Sequence, residues 1–185
     1  MVESVSFTTC ARCRHVSIEE RYMTLSTFFL FECPDSGKTM SSFLGDKLGK
    51  AEAVLNWRDE DGCKKKTIGE KSTRISDFEK TNYLIIIVDR LVSYDGNLQI
   101  LRRNVPLGED VELQDRKGKS GLFTPIGIIH HKGEVIGNDT SGHYEADVLE
   151  KSSNQWFRTS DDMPPKKILR KNITEEGYIF LYKQV

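Results

Sequence analysis

One histidine of this chain stands in Asn138-Asp-Thr-Ser-Gly-His-Tyr-Glu-Ala-Asp147, with Gly142 before it and Tyr144 after it. Imidazole is the side chain whose unperturbed pKa lies nearest neutrality, so His143 is a candidate general base, with a plain loop histidine as the alternative. A second pair, His130-His131, closes an apolar run, a placement that could serve a metal or a core. Ser160-Asp-Asp162 follows Trp156 and, taken alone, is a polar turn. Of four cysteines, two form Cys10-Ala-Arg-Cys13, while Cys33 and Cys63 stand apart. This is not the pattern of a secreted disulfide framework, so a reducing, intracellular compartment (cytoplasm or nucleus) is expected.

These residues need elements to hold them. At 185 residues the chain can form one domain with a full core, or two small lobes. A net charge of -1 supplies no field to draw it to nucleic acid or to a membrane surface. The longest apolar runs, Phe28-Phe-Leu-Phe31 and Leu84-Ile-Ile-Ile-Val88, are far too short to span a bilayer. The first residues lack the basic flank and apolar stretch of a signal peptide. Residues 23–32 (MTLSTFFLFE) predict a strand that stops at Pro34-Asp-Ser-Gly37. Residues 38–55 carry Met40, Phe43, Leu44, Leu48, Ala51 and Leu55 at helical spacing, with Asp35 or Ser36 as cap and Gly45 and Gly49 weakening the interior. Residues 56–80 are charged and predict a solvated hairpin tip. Residues 83–88 form a nearly continuous apolar run, as in a strand buried on both faces. Residues 98–113, 123–131, 143–149 and 178–183 supply further strands. One helix and many strands make an α+β, mainly β fold.

In this order, Cys10-Ala-Arg-Cys13, a distant Cys63-Lys-Lys-Lys66, Leu84-Ile-Ile-Ile-Val-Asp-Arg90 with Val105-Pro-Leu107, Ile126-Gly-Ile-Ile-His-His131, Thr140-Ser-Gly-His-Tyr144, Asn154 to Asp162 and Gly177-Tyr-Ile-Phe-Leu-Tyr182 line up as a set. The set resembles the C-terminal two-thirds of a ubiquitin-specific protease catalytic domain, a family of papain-like cysteine peptidases. The resemblance covers nearly the whole chain and is weakest over residues 64–80 and 96–121. It implies fingers and palm without the N-terminal thumb: roughly residues 1–80 as fingers with one helix, and 81–185 as palm with the histidine box.

The resemblance makes His143 the base that forms a thiolate, with Ser160 at the position of the orienting residue and Asp161 directly after it. A serine hydroxyl fixes an imidazole tautomer but lacks the charge that stabilises imidazolium, which Asp161 or Asp162 could supply. Tyr144 would shape the channel for a ubiquitin tail. Residues 132–141 would form a loop bordering it, with Gly133, Gly137 and Gly142 letting it move and Ser141 and Gly142 allowing close approach. The family's nucleophile lies in a segment upstream of the Cys-x-x-Cys, and none of Cys10, Cys13, Cys33 or Cys63 matches it, so this chain alone is expected to be inactive. The implied partners are ubiquitin or a ubiquitin-like protein and a thumb segment; no nucleic acid or membrane is implied. The family's structural zinc would fall on Cys10, Cys13 and Cys63, but Glu60 occupies the fourth cysteine's place. That favours a decayed site without zinc, held by hairpin pairing, over one completed by His15. The histidine pair has no metal role in the family and is expected to be structural.

Overall fold

A computed structural model of the chain describes residues 2–23, 26–29, 39–136, 139–161, 163–170 and 176–185. Strands dominate. In chain order they are β1 (Val2–Cys10), β2 (Val16–Met23), β3 (Ser26–Phe29), β4 (Glu52–Arg58), β5 (Lys66–Ile75), β6 (Tyr83–Asp89), β7 (Leu91–Tyr94), β8 (Asn97–Ile100), β9 (Val111–Gln114), β10 (Ser120–Ile136), β11 (Asp139–Glu150), β12 (Gln155–Ser160), β13 (Met163–Ile168) and β14 (Gly177–Gln184). A single α-helix, α1 (Met40–Gly49), and a short 3-10 turn at Phe78–Lys80 complete the described elements. The α+β, mainly β expectation holds.

Four strands form an antiparallel sheet in the order β2-β1-β5-β4. The larger sheet runs β13-β12-β11-β10-β14-β6-β3, with β9 also paired to β10. All its neighbours are antiparallel except β3 and β6. The chain therefore enters the large sheet at β3 and returns to the smaller one for β4 and β5. Strands β7 and β8 form a separate hairpin around Asp95 and Gly96, both with positive φ, the conformation a two-residue turn needs.

Several elements differ from the sequence reading. The helix is shorter than 38–55. It begins after Thr39, whose side chain accepts from the Ser42 N–H, so Thr39 is the cap rather than Asp35 or Ser36, which lie outside the described residues. It ends where Ala51 and Leu55 would have continued the stripe, because the chain turns extended at Lys50 and pairs as β4, leaving Leu55 71% exposed. The strand expected at 23–32 is divided between the end of β2 and β3, and residues 30–32 lie outside the described residues. Strand β6 buries Leu84, Ile86 and Val88 fully, while Ile85 and Ile87 are only half-buried, so one face is sealed and the other partly covered.

The core gathers on the sealed face of the large sheet. Met40, Phe43, Leu44 and Leu48 of α1 join Leu84, Ile86 and Val88 of β6, Phe123 and Ile128 of β10, Phe180 and Tyr182 of β14, and Val105 and Leu107 from the intervening loop. Tyr182, fully buried, donates to the Leu107 carbonyl at 2.7 Å, and its phenol is pushed well above its ordinary range by burial. Arg90 is 1% exposed; its Nε donates to the Gly177 carbonyl at 3.1 Å and its terminal nitrogen to those of Leu101 and Arg103 at 3.2 and 2.7 Å. It ties the loop after β8 to the first residue of β14. Among the described residues, no helix is long and apolar enough to cross a membrane.

Candidate functional site

Period-two alternation places His143, Glu145 and Asp147 of β11 on the face that Leu149 turns to the core. Their cross-strand partners on β10 are Lys132, His130 and Ile128. At the Ile128 end this face is sealed, with Asp147 fully buried and His130 1% exposed. Towards His143 it opens, the imidazole being 41% exposed. The base candidate therefore sits where a core face meets solvent.

A polar ladder runs beneath it. Arg158 of β12 grips Asp147 with two bonds, Nε to Oδ1 at 2.7 Å and a terminal nitrogen to Oδ2 at 2.8 Å. His130 Nε2 approaches Asp147 Oδ2 at 3.2 Å. Burial alone would raise the Asp147 carboxyl, but Arg158 and then His130 hold it at about 2. Glu145 pairs with Lys132 at 2.6 Å and is likewise held below its ordinary value, chiefly by that lysine. The sequence reading missed Asp147, Arg158 and Glu145, although the alternation His143-x-Glu145-x-Asp147-x-Leu149 places carboxylates on a core-facing stripe.

The three catalytic candidates converge. Strand β12 ends at Ser160, which pairs with Met163 across a two-residue turn. Asp161 has φ 39°, a left-handed conformation that aspartate tolerates. The turn delivers Ser160 Oγ into a short contact with His143 Nε2 and Asp161 Oδ2 to 3.1 Å from His143 Nδ1. Ser160 is half-buried, whereas the Asp161 side chain is 75% exposed. An exposed ion pair of this kind contributes at most about 1 kcal/mol. The ring is thus anchored through Nε2, and Nδ1 can exchange its surface carboxylate for another partner at small cost.

Of the channel candidates, Ser141, Gly142 and Tyr144 are exposed beside His143, and Gly137 lies outside the described residues. The 132–141 segment is not a loop where it is described: residues 132–136 and 139–141 are the paired arms of the β10–β11 hairpin. Gly133 and Gly142 face each other across it. A Cβ on Gly142 would lie 2.4 Å from His131 Nε2 and 2.7 Å from both Gly133 Cα and the Lys132 carbonyl. The described glycines here thus serve close strand approach under the His131 ring. That ring contacts Tyr144 at 4.7 Å and Tyr178 edge-on at 5.5 Å between centroids. Neither His130 nor His131 joins a metal-capable cluster among the described residues.

At the tip of the smaller sheet, Cys10 closes β1, Cys13 sits in the turn before β2, and Cys63 in the turn between β4 and β5. All three are free thiols whose sulfurs lie within 4.8 Å of one another. The residue beside them is Asp59, 3.3 Å from Cys13 Sγ, and not Glu60, which is exposed and pairs with Arg58 at 3.4 Å. His15, offered by the sequence as a fourth ligand, instead contacts both Asp59 oxygens, at 2.9 and 3.1 Å. Three thiols and a carboxylate form a donor set that a tetrahedral divalent metal accepts, so these residues could hold one. Cys10, Cys13 and Cys63 lie at the tip of the smaller sheet, and among the described residues no thiol bonds to His143.

No protein-family model matches the chain, and no curated protein matches it in sequence. Its fold is that of solved structures of the SAGA DUB module. Ubp8 with Sgf11, Sus1 and Sgf73 bound to monoubiquitin superposes with a TM-score of 0.74 at 18% identity, covering 100% of this chain and 40% of that chain. The same module with ubiquitin aldehyde gives 0.75 at 18% identity, covering 100% and 41%. The yeast module gives 0.71 at 20% identity, covering 100% and 40%. The chain spans about 40% of the length of the solved chains it matches.

Proposed function

We propose that this chain is the fingers-and-palm part of a ubiquitin-specific-protease-type domain, with ubiquitin or a ubiquitin-like protein as its partner in an intracellular setting. The observation that carries this reading is the meeting of His143, Ser160 and Asp161 at the open end of the β11–β12 ladder, beside exposed Tyr144. The likeness to a ubiquitin-bound module supports the choice of partner.

In this reading a cysteine from outside residues 1–185 approaches Nδ1 of His143, displacing Asp161, while Ser160 keeps the ring in place. His143 accepts the thiol proton, and the thiolate attacks the carbonyl carbon of the ubiquitin C-terminal glycine. The carbon–nitrogen bond breaks as His143 returns the proton to the departing amine, and water then hydrolyses the thioester with His143 again as base. Tyr144, Ser141 and Gly142, with Gly137, border the ubiquitin tail.

A second reading, a non-catalytic ubiquitin-binding module, is favoured by one observation: both ring nitrogens of His143 are already partnered and no described thiol reaches them. Titrating labelled ubiquitin into the chain tests what both readings share, with binding in the micromolar range or tighter expected, weakened by Tyr144→Ala. No binding overturns both. A ubiquitin probe with an electrophilic tail should leave this chain unlabelled. Labelling of Cys10, Cys13, Cys33 or Cys63 would overturn the assignment of all four as non-catalytic. Chain-dependent labelling of an added cysteine-bearing segment, lost in His143→Ala, separates the enzyme from the binding module.

A further inference from the structure

The hydrogen bonds of His143 decide which of its nitrogens carries the proton. Asp161 offers Nδ1 only acceptor oxygens, one of them at 3.1 Å, so the proton of the neutral ring lies on Nδ1. Nε2 then keeps its lone pair, and the Ser160 hydroxyl in contact with it is the donor. Base catalysis on a thiol at Nδ1 needs the opposite tautomer, with Nε2–H donating to Ser160 Oγ. Serine serves both arrangements because a hydroxyl donates as well as accepts, whereas a carboxylate in its place could only accept. In the chain by itself, the ring is therefore set as a base towards Ser160.

The order of groups is carboxylate, imidazole, hydroxyl, with the two oxygens on different ring nitrogens. One strand pair and one turn hold all three: His143 stands on β11, and Ser160 and Asp161 are consecutive at the end of β12. The left-handed backbone of Asp161, φ 39°, lets one turn serve both nitrogens. The group lies where the sheet face opens. With the ring 41% exposed and Ser160 half-buried, a small acyl group can approach from solvent. Asp161 is 75% exposed and so supports an imidazolium only weakly.

We infer that Ser160 is itself a nucleophile, with His143 as its base and Asp161 behind the ring, and that the chain hydrolyses activated acyl esters without any thiol. Nε2 takes the hydroxyl proton as Oγ bonds to the acyl carbon. The ester carbon–oxygen bond breaks, and Nε2 returns the proton to the departing oxygen. Water then gives a proton to Nε2 as its oxygen bonds to the acyl carbon. The Oγ–carbon bond breaks, Oγ recovers the proton, and the carboxylic acid leaves. Aryl esters suit the site, because a phenol departs readily and asks least of oxyanion stabilisation. The expected inactivity of the chain concerns thiol chemistry. Ester hydrolysis needs neither a cysteine nor ubiquitin, so it is tested apart from the role proposed above.

The test is p-nitrophenyl acetate hydrolysis by the whole chain, together with fluorophosphonate labelling located by mass spectrometry. Turnover should fall roughly 100-fold in Ser160→Ala and in His143→Ala. Asp161→Asn should lose no more than about fivefold, since an exposed pair contributes so little. The fluorophosphonate should bond through phosphorus to Ser160 Oγ with release of fluoride, and the label should be absent in His143→Ala. Ring ¹⁵N shifts of the wild type should place the proton on Nδ1. Hydrolysis that persists in Ser160→Ala, labelling that misses Ser160, or a neutral ring protonated on Nε2 overturns Ser160 as a nucleophile.

Discussion

Asp147 tests whether the buried ladder below His143 is a stabilising network. Its carboxyl sits at about 2 against an ordinary 3.8, despite burial, because Arg158 binds both oxygens and His130 approaches one. Depression of that size corresponds to ~2 kcal/mol favouring the folded chain when the group is ionised. The contribution is complete above pH 4–5, where the carboxyl is ionised even in the unfolded chain, and is lost as pH falls from about 4 towards about 2. Urea unfolding of wild type and Asp147→Asn between pH 7 and pH 3 should therefore show a shallower acid loss in the variant. At pH 7 the variant should be weaker by ~3 kcal/mol or more, since Arg158 loses a buried partner. Should Asp147→Asn not fold, the carboxyl carbon of Asp147 in the wild type can be followed directly by NMR. A titration midpoint near 4, or identical acid losses in the two proteins, would refute the argument that Arg158 and His130 outweigh burial.

Three further outcomes are expected. Arg90→Met removes bonds to the carbonyls of Gly177, Leu101 and Arg103, and should lower unfolding free energy by ~3 kcal/mol in urea titration. Gly142→Ala places a Cβ against the backbone of Gly133 and Lys132 and should cost about 1–3 kcal/mol, with broadened amide signals along the β10–β11 hairpin. Ser160→Ala should cost no more than about 1 kcal/mol yet change the ring ¹⁵N pattern of His143 at Nε2, whereas Asp161→Asn should move only Nδ1.

The strand content was legible because most strands announce themselves by alternation or by apolar runs, as at Leu84-Ile-Ile-Ile-Val88. The helix was found but drawn too long. Ala51 and Leu55 fall on its stripe by spacing, yet pairing of β4 with β5 decides their conformation, and that contact lies beyond local periodicity. Glycine misled for a related reason. In the hairpin of residues 132–141 it was read as freedom to move, whereas at 133 and 142 it answers a need for space created by a facing strand and the His131 ring.

The sites divide along the same line. His143, Ser160 and Asp161 could be named from the sequence because a motif and its distance from Trp156 carry their positions. Their juxtaposition needs only one strand pair and one two-residue turn. Asp59 could not be named, because spacing counts residues and the turn beside the three thiols is defined by a hydrogen bond. Lys64, with φ 55°, returns its N–H to the Asp59 carbonyl as Arg14, with φ 60°, does to that of Cys10, although the second turn is one residue longer. One Asp59 oxygen lies beside the thiols, 3.3 Å from Cys13 Sγ, and the other is held by His15 and the Gly62 N–H. A Cys-x-x-Cys pair reduced to one cysteine is then either a decayed turn or one in which Asp59 stands in for the missing donor with its supporting contacts. His15→Ala separates the two accounts: a decayed turn predicts no effect on metal affinity, and a substituted ligand predicts a loss of roughly 10–100-fold.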